Sequence, residues 1–234
     1  MKEDICTIPI NEVFALKSGC PICRMHRELE KRALDFTMGA AMMEPDMRHE
    51  TNRQGFCADH FAKMHSMKNP LSLALMLESH LLEIDNVVFE RCKPSLLRSD
   101  VKSAEESAVK AGESVHSCYI CDRVERSLSK ELNTFFVMWK KEAEFRKNVA
   151  EQPHYCLAHY ALLLEKGQKQ LDKKSFSEFY GTVSTVTRAG LKTLTEDMTA
   201  FCKMYDYHNN GSDFGSLREA VNNAIAFLTA ESGS

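Results

Sequence analysis

Eight residues could do chemistry together. Cys20-Pro21-Ile22-Cys23 is followed by Cys57-Ala58-Asp59-His60, and further on Cys118-Tyr119-Ile120-Cys121 is followed by Cys156-Leu157-Ala158-His159. Thiolate sulfur and imidazole nitrogen are the usual donors of closed tetrahedral zinc sites, and two donors separated by two residues can hold one ion from a single turn of chain. A Cys-x2-Cys joined to a Cys-x2-His supplies Cys3His and leaves no open position. The sequence therefore predicts two zinc ions per chain. One is expected on Cys20, Cys23, Cys57 and His60, the other on Cys118, Cys121, Cys156 and His159, because each quartet is complete within its own stretch. An iron–sulfur cluster is the alternative cofactor, although four cysteines are its usual ligand set.

Other uses of these cysteines fit less well. Covalent haem attachment needs His directly after Cys-x2-Cys, where this chain has Arg24 and Asp122. A thioredoxin-type dithiol needs a βαβ context, and the surrounding pattern is helical. His26 and His65 face Val124 and Leu164 in the second stretch, so neither is a repeated ligand, and His49, His80, His116, His154 and His208 are unmatched as well. Cys6, Cys92 and Cys202 fall outside the quartets and read as small buried groups on helices.

The elements that must position the quartets are helices. The Cys-x2-Cys pairs recur at an offset of 98 and the Cys-x2-His pairs at 99, and the flanks Phe36-Thr37-Met38 and Phe56-Cys57 resemble Phe136-Val137-Met138 and Tyr155-Cys156. This is the mark of a tandem duplication. Pro21 suits the first turn of a helix, and that helix end favours a thiolate. Ala74, Leu77, Leu81, Ile84 and Val88 form an apolar stripe after the boundary at Asn69-Pro70, and a second stripe runs from Phe176 to Tyr205 through Gly181 and Gly190, which suggest close contacts or bends. The expected fold class is all-α, a tandem duplication of a metal-pinned helical unit, each with a long amphipathic helix, plus a short C-terminal helix over 217–228. The expected division is 1–92 and 114–207 for the two repeats, 93–113 for the connecting segment, and 208–234 for a turn-rich loop and the closing helix.

Nine Cys among 234 residues, with 27% charged and 44% hydrophobic residues, is globular composition. Thirty Lys and Arg against thirty-three Asp and Glu, without a like-charged block, give no reason to expect nucleic acid or an anionic membrane as partner. Glu78, His80, Glu83 and Asp85 interrupt the most apolar stretch, so no membrane span is expected. The start Met1-Lys2-Glu3-Asp4 does not read as a signal peptide. A cytoplasmic protein is expected, and a reducing compartment favours metal ligands over disulfides.

The duplicated motifs, together with Tyr205-Asp206-Tyr207-His208-Asn209, Ala220-Val221 and Ala224-Ile225, resemble an uncharacterised family of helical prokaryotic proteins catalogued as a domain of unknown function. The resemblance implies an all-helical, metal-binding protein of prokaryotic origin with no established activity. The function expected is a binding or adaptor module for a protein or small-molecule ligand, with two structural Cys3His sites. The alternative is a redox or metal-handling protein whose sites hold an Fe–S cluster or an exchangeable metal. A hydrolytic zinc enzyme is the weakest reading, since four protein ligands close the site and no catalytic constellation is recognised.

Overall fold

The computed structural model describes residues 7–39, 43–96, 98–205 and 215–230. Cys6, His208, the turn-rich loop at 208–213 and the terminal Gly233-Ser234 lie outside the described residues. Within them the protein is all-α. The helices are, in chain order, α1 (Ile8–Ala15), α2 (Pro21–Met38), α3 (Pro45–Gln54), α4 (Ala58–Ser66), α5 (Pro70–Ile84), α6 (Asp100–His116), α7 (Tyr119–Lys141), α8 (Ala143–Ala150), α9 (Leu157–Gln170), α10 (Lys173–Met204) and α11 (Ala220–Thr229). Extended pairing among the described residues is limited to one isolated bridge between Ser95 and Arg98.

The chain divides into two compact units, Met1–Glu28 with Leu128–Ser234, and Leu29–Ser127. It passes from one to the other inside α2 and again inside α7. Segment 93–113, read from sequence as a joint between repeats, belongs to the second of these units, and most of it lies in α6.

The first unit is held by aromatic side chains. Phe14 of α1 lies 5.5 Å from Phe135 and 5.3 Å from Phe145, while Phe179 of α10 meets Phe136 at 5.3 Å and Trp139 at 5.1 Å. Tilted and edge-on rings at these distances add to the apolar area they bury. α9 reaches this cluster through Gly167, where an added Cβ would stand 3.2 Å from both Phe136 and Phe179. Gly190 of α10 is a second close approach, since a Cβ there would lie 2.3 Å from the Cβ of His154 and 3.0 Å from the carbonyl oxygen of Pro153. Gly181, by contrast, faces open space.

The second unit packs around Leu34, Met38, Phe56, Met64, Leu73, Met76, Tyr119, Ile120 and Val124. Here the buried face of α5 differs from the expected stripe. Leu73, Met76 and, in the π-helical turn Asp85–Glu90 that follows α5, Val88 are buried, whereas Leu81 and Leu82 are exposed. Polar contacts explain the rotation. Ser79 donates to Asn52 Oδ1 at 2.9 Å, and His80 Nδ1 donates to the Asn52 carbonyl at 2.8 Å, so two hydrogen-bonding side chains occupy the face toward α3. Gly55 ends α3 with φ +62°, a conformation that favours glycine, and His80 sits where a Cβ would be.

Candidate metal centres

All eight sequence-predicted ligands sit at helix starts. Cys20, Cys57, Cys118 and Cys156 precede α2, α4, α7 and α9, and the carbonyl of each accepts a backbone N–H four residues on, from Arg24, Phe61, Asp122 and Tyr160. The partners Cys23, His60, Cys121 and His159 follow one turn later, on the same side of the helix as their cysteine. The repeated aromatic before each Cys-x2-His fixes how the chain enters. Phe56 packs on Phe61 at 5.4 Å, a hydrophobic staple across the start of α4. Tyr155 is fully buried and donates its hydroxyl to the Val149 carbonyl at 3.0 Å.

The grouping of these turns corrects the sequence reading. Cys20 and Cys23 do not gather with Cys57 and His60. They gather with Cys156 and His159, while Cys57 and His60 gather with Cys118 and Cys121. In each group all four donor atoms lie within 4.8 Å of one another. In the first, His159 Nδ1 stands 3.7 Å from Cys20 Sγ and 3.2 Å from both Cys23 Sγ and Cys156 Sγ, and the last two sulfurs are 3.7 Å apart. In the second, His60 Nδ1 stands 3.1 Å from Cys57 Sγ, 3.3 Å from Cys118 Sγ and 3.4 Å from Cys121 Sγ, and Cys57 and Cys121 are 3.9 Å apart. A tetrahedral zinc ion with ordinary bond lengths sets its sulfurs about 3.8 Å apart and its nitrogen about 3.6 Å from each. The donors fit one ion per group.

Each group is braced differently, by residues the motif did not reveal. His60 donates Nε2–H to Glu30 at 3.1 Å, and Lys63 donates to the two oxygens of that carboxylate at 2.9 and 2.8 Å. This orients the ring with Nδ1 toward the sulfurs, the arrangement that supports a metal-bound histidine. In register, Glu30 corresponds to Leu128, so the sequence repeat could not point to it. The backbone before Cys57 is tied to the first turn of α7, directly after Cys118, by the Tyr119 N–H, which donates to Gly55 O at 3.0 Å. Beside the first group, buried Arg24 donates to the carbonyls of Val13, Leu16 and Gly19 and to Gln152 Oε1, and Gln152 Nε2 donates to Phe14 O at 2.8 Å. Those bonds join the approach to Cys20 with the approach to Cys156.

Packed thiols compete for ionisation. Burial raises the Cys20 thiol, but hydrogen bonds with Cys156, Cys23 and His159 outweigh it and hold Cys20 well below the usual thiol range. Hydrogen bonds with Cys156 and Cys20, then burial, push Cys23 far up. Burial lowers His159, yet its contacts with Cys156 and Cys20 carry it up to about 9. In the second group burial pushes Cys121 up, with Cys118 and Cys57 adding to it, and burial draws His60 down against the pull of Glu30. Ionisation is thus favoured at Cys20 and disfavoured at Cys23 and Cys121. A divalent cation among them supplies the charge that allows all three to ionise.

The remaining cysteines divide. Cys92 is buried and its thiol donates to Val87 O at 3.4 Å, as expected of a small core group, whereas Cys202 is exposed on α10. Among the described residues no helix is long and apolar enough to cross a membrane.

Fold and site together define an all-α protein with two Cys3His groups, each assembled from two helix starts and each able to hold a metal ion. The chain belongs to a family of unknown function, DUF6062, which it matches over residues 1–234. Comparison with curated proteins and with solved structures found no match.

Proposed function

We propose that the protein binds two zinc ions, one in each Cys3His group, and uses the scaffold so pinned as a binding or adaptor module for a protein or small ligand. The observation that carries this reading is the donor geometry: four donors within 4.8 Å, with the histidine nitrogen turned inward, in both groups. That spacing favours a single ion over a cluster, in which the four ligands are divided between two or more irons and the donors on different irons stand further apart. Four protein ligands also fill the tetrahedron, which speaks for a structural role and against hydrolysis. The matching offsets of 98 and 99 support a tandem duplication in which each copy lends its Cys-x2-Cys to one group and its Cys-x2-His to the other. For the binding role the support is in the second unit. A cleft of about 360 Å³ lies among Asn52, Gln54, Glu83, Lys110 and Ser117, and Leu81, Leu82 and Phe89 are exposed nearby in sequence.

Elemental analysis with thermal unfolding tests the proposal. Two equivalents of zinc in a colourless protein, with chelation lowering the melting temperature, are the expected result. Several irons with sulfide in a brown protein would replace zinc by a cluster. A metal-free protein of unchanged stability would end the metal reading.

A further inference from the structure

The two groups share their ligand types but not their access to solvent. Cys20, Cys23 and Cys156 are 3%, 1% and 0% exposed. In the other group His60, at 5%, and Cys118, at 6%, are covered, but of the other two sulfurs Cys57 is half-buried and Cys121 is exposed. From this we infer that the Cys57–His60–Cys118–Cys121 group is an oxidant-sensitive, releasable zinc site, with Cys121 the sulfur attacked by peroxides, while the Cys20–Cys23–Cys156–His159 group holds its ion permanently. The inference rests on zinc occupying both groups, as proposed above.

The chemistry needs two sulfurs within reach and one peroxide. The Cys121 thiolate attacks hydrogen peroxide, a sulfur–oxygen bond forms and the oxygen–oxygen bond breaks. The hydroxide expelled takes a proton and leaves as water, and Cys121 becomes a sulfenic acid. The Cys57 thiolate, 3.9 Å away, then attacks the Cys121 sulfur. A disulfide forms and a second hydroxide departs, again leaving as water with a proton. Two sulfurs have lost two electrons in all and the peroxide has gained them. The ion has lost two of its four ligands and is set free, since disulfide sulfur is no longer a thiolate donor. A thiol reductant reverses the disulfide and restores the site.

Exposure decides which group reacts because attack requires the peroxide to reach a sulfur along the line of the new bond. Cys121 offers that approach from solvent. In the other group each sulfur is covered, and Arg24, Gln152 and Tyr155, all buried, close in its surroundings. The disulfide would also link two segments 64 residues apart in sequence, so its formation changes how the starts of α4 and α7 are held.

The test uses the full chain with Cys6→Ser and Cys202→Ser, which removes two thiols outside the quartets, loaded with zinc and counted before oxidant is added. Hydrogen peroxide is then added with a zinc-sensitive dye, and the cysteine peptides are mapped by mass spectrometry at the half-point. Expected is release of one equivalent about tenfold faster than the second, a disulfide joining Cys121 to Cys57, and recovery of that equivalent on adding dithiothreitol and zinc. Release of both ions at one rate, first oxidation at Cys20, Cys23 or Cys156, or retention of both ions would overturn the inference while leaving two-zinc binding intact. A chain that carries no zinc before oxidation overturns both.

Discussion

Replacing Glu30 by Gln isolates the brace behind His60. The carboxylate accepts from His60 at 3.1 Å and from Lys63 at 2.9 and 2.8 Å, and its side chain is only 12% exposed. Gln keeps the size and one acceptor oxygen but removes the charge that both donors face. Loss of such a partner behind a ligating histidine typically weakens metal binding by about 10–100-fold, or about 1.4–2.7 kcal/mol. Because Gln can still accept from His60, the lower half of that range is expected, about 10–30-fold. Competition with a coloured chelator measures it, and the protein contains its own control. Glu30 touches only the group of His60, so the affinity of the Cys20 group should stay within about twofold. Equal weakening of both sites, or no change at the His60 site, would refute the idea that this carboxylate orients the ring.

Three further outcomes follow from the same structure. Burial raises the Glu30 carboxyl, but Lys63 and His60 outweigh it and hold it below the usual carboxylate range. Its contribution is therefore complete above that range and lost as pH falls through the lowered value, so unfolding midpoints of the parent and Glu30→Gln should differ at neutral pH and converge in acid. Gly190→Ala places a methyl 2.3 Å from the Cβ of His154 and 3.0 Å from the Pro153 carbonyl, and overpacking of this kind costs about 1–3 kcal/mol, visible as a lower urea midpoint, while Gly181→Ala, facing open space, should not lower it. Phe135→Ala removes a fully buried ring that touches Phe14, Phe136, Phe145 and Phe179 and should cost about 3–5 kcal/mol in denaturant unfolding.

Much of the site could be read in the sequence, and its pairing could not. Residue type and two-residue spacing single out the eight residues that gather into two groups, because one helical turn brings such a pair to one side. Nothing local says which Cys-x2-Cys meets which Cys-x2-His. The same eight residues make two Cys3His sets whether each Cys-x2-Cys closes on the Cys-x2-His that next follows it or on the other one. Loop length is a weak guide, since closing the 133 residues between Cys23 and Cys156 costs only about 1 kcal/mol more than closing the interval from Cys23 to Cys57. Packing decides instead: Arg24 and Gln152 tie one pair of helix starts, and Gly55 and Tyr119 tie the other. These contacts join residues far apart in sequence that carry no periodic signature. The helical class was legible for the opposite reason, because apolar spacing along each helix is local. The face of α5 was not, because Ser79 and His80 take the inward positions through hydrogen bonds to Asn52.

Zinc content in two double variants tests the central claim most directly. Cys23→Ser with Cys156→Ser damages a single group in the arrangement described here, so the protein should retain one equivalent of zinc and lose the other. Cys23→Ser with Cys57→Ser damages both groups, so zinc content should fall toward none. Should the first variant lose both ions and the second keep one, each ion would be held by a Cys-x2-Cys and the Cys-x2-His that next follows it, and the grouping described here would be contradicted.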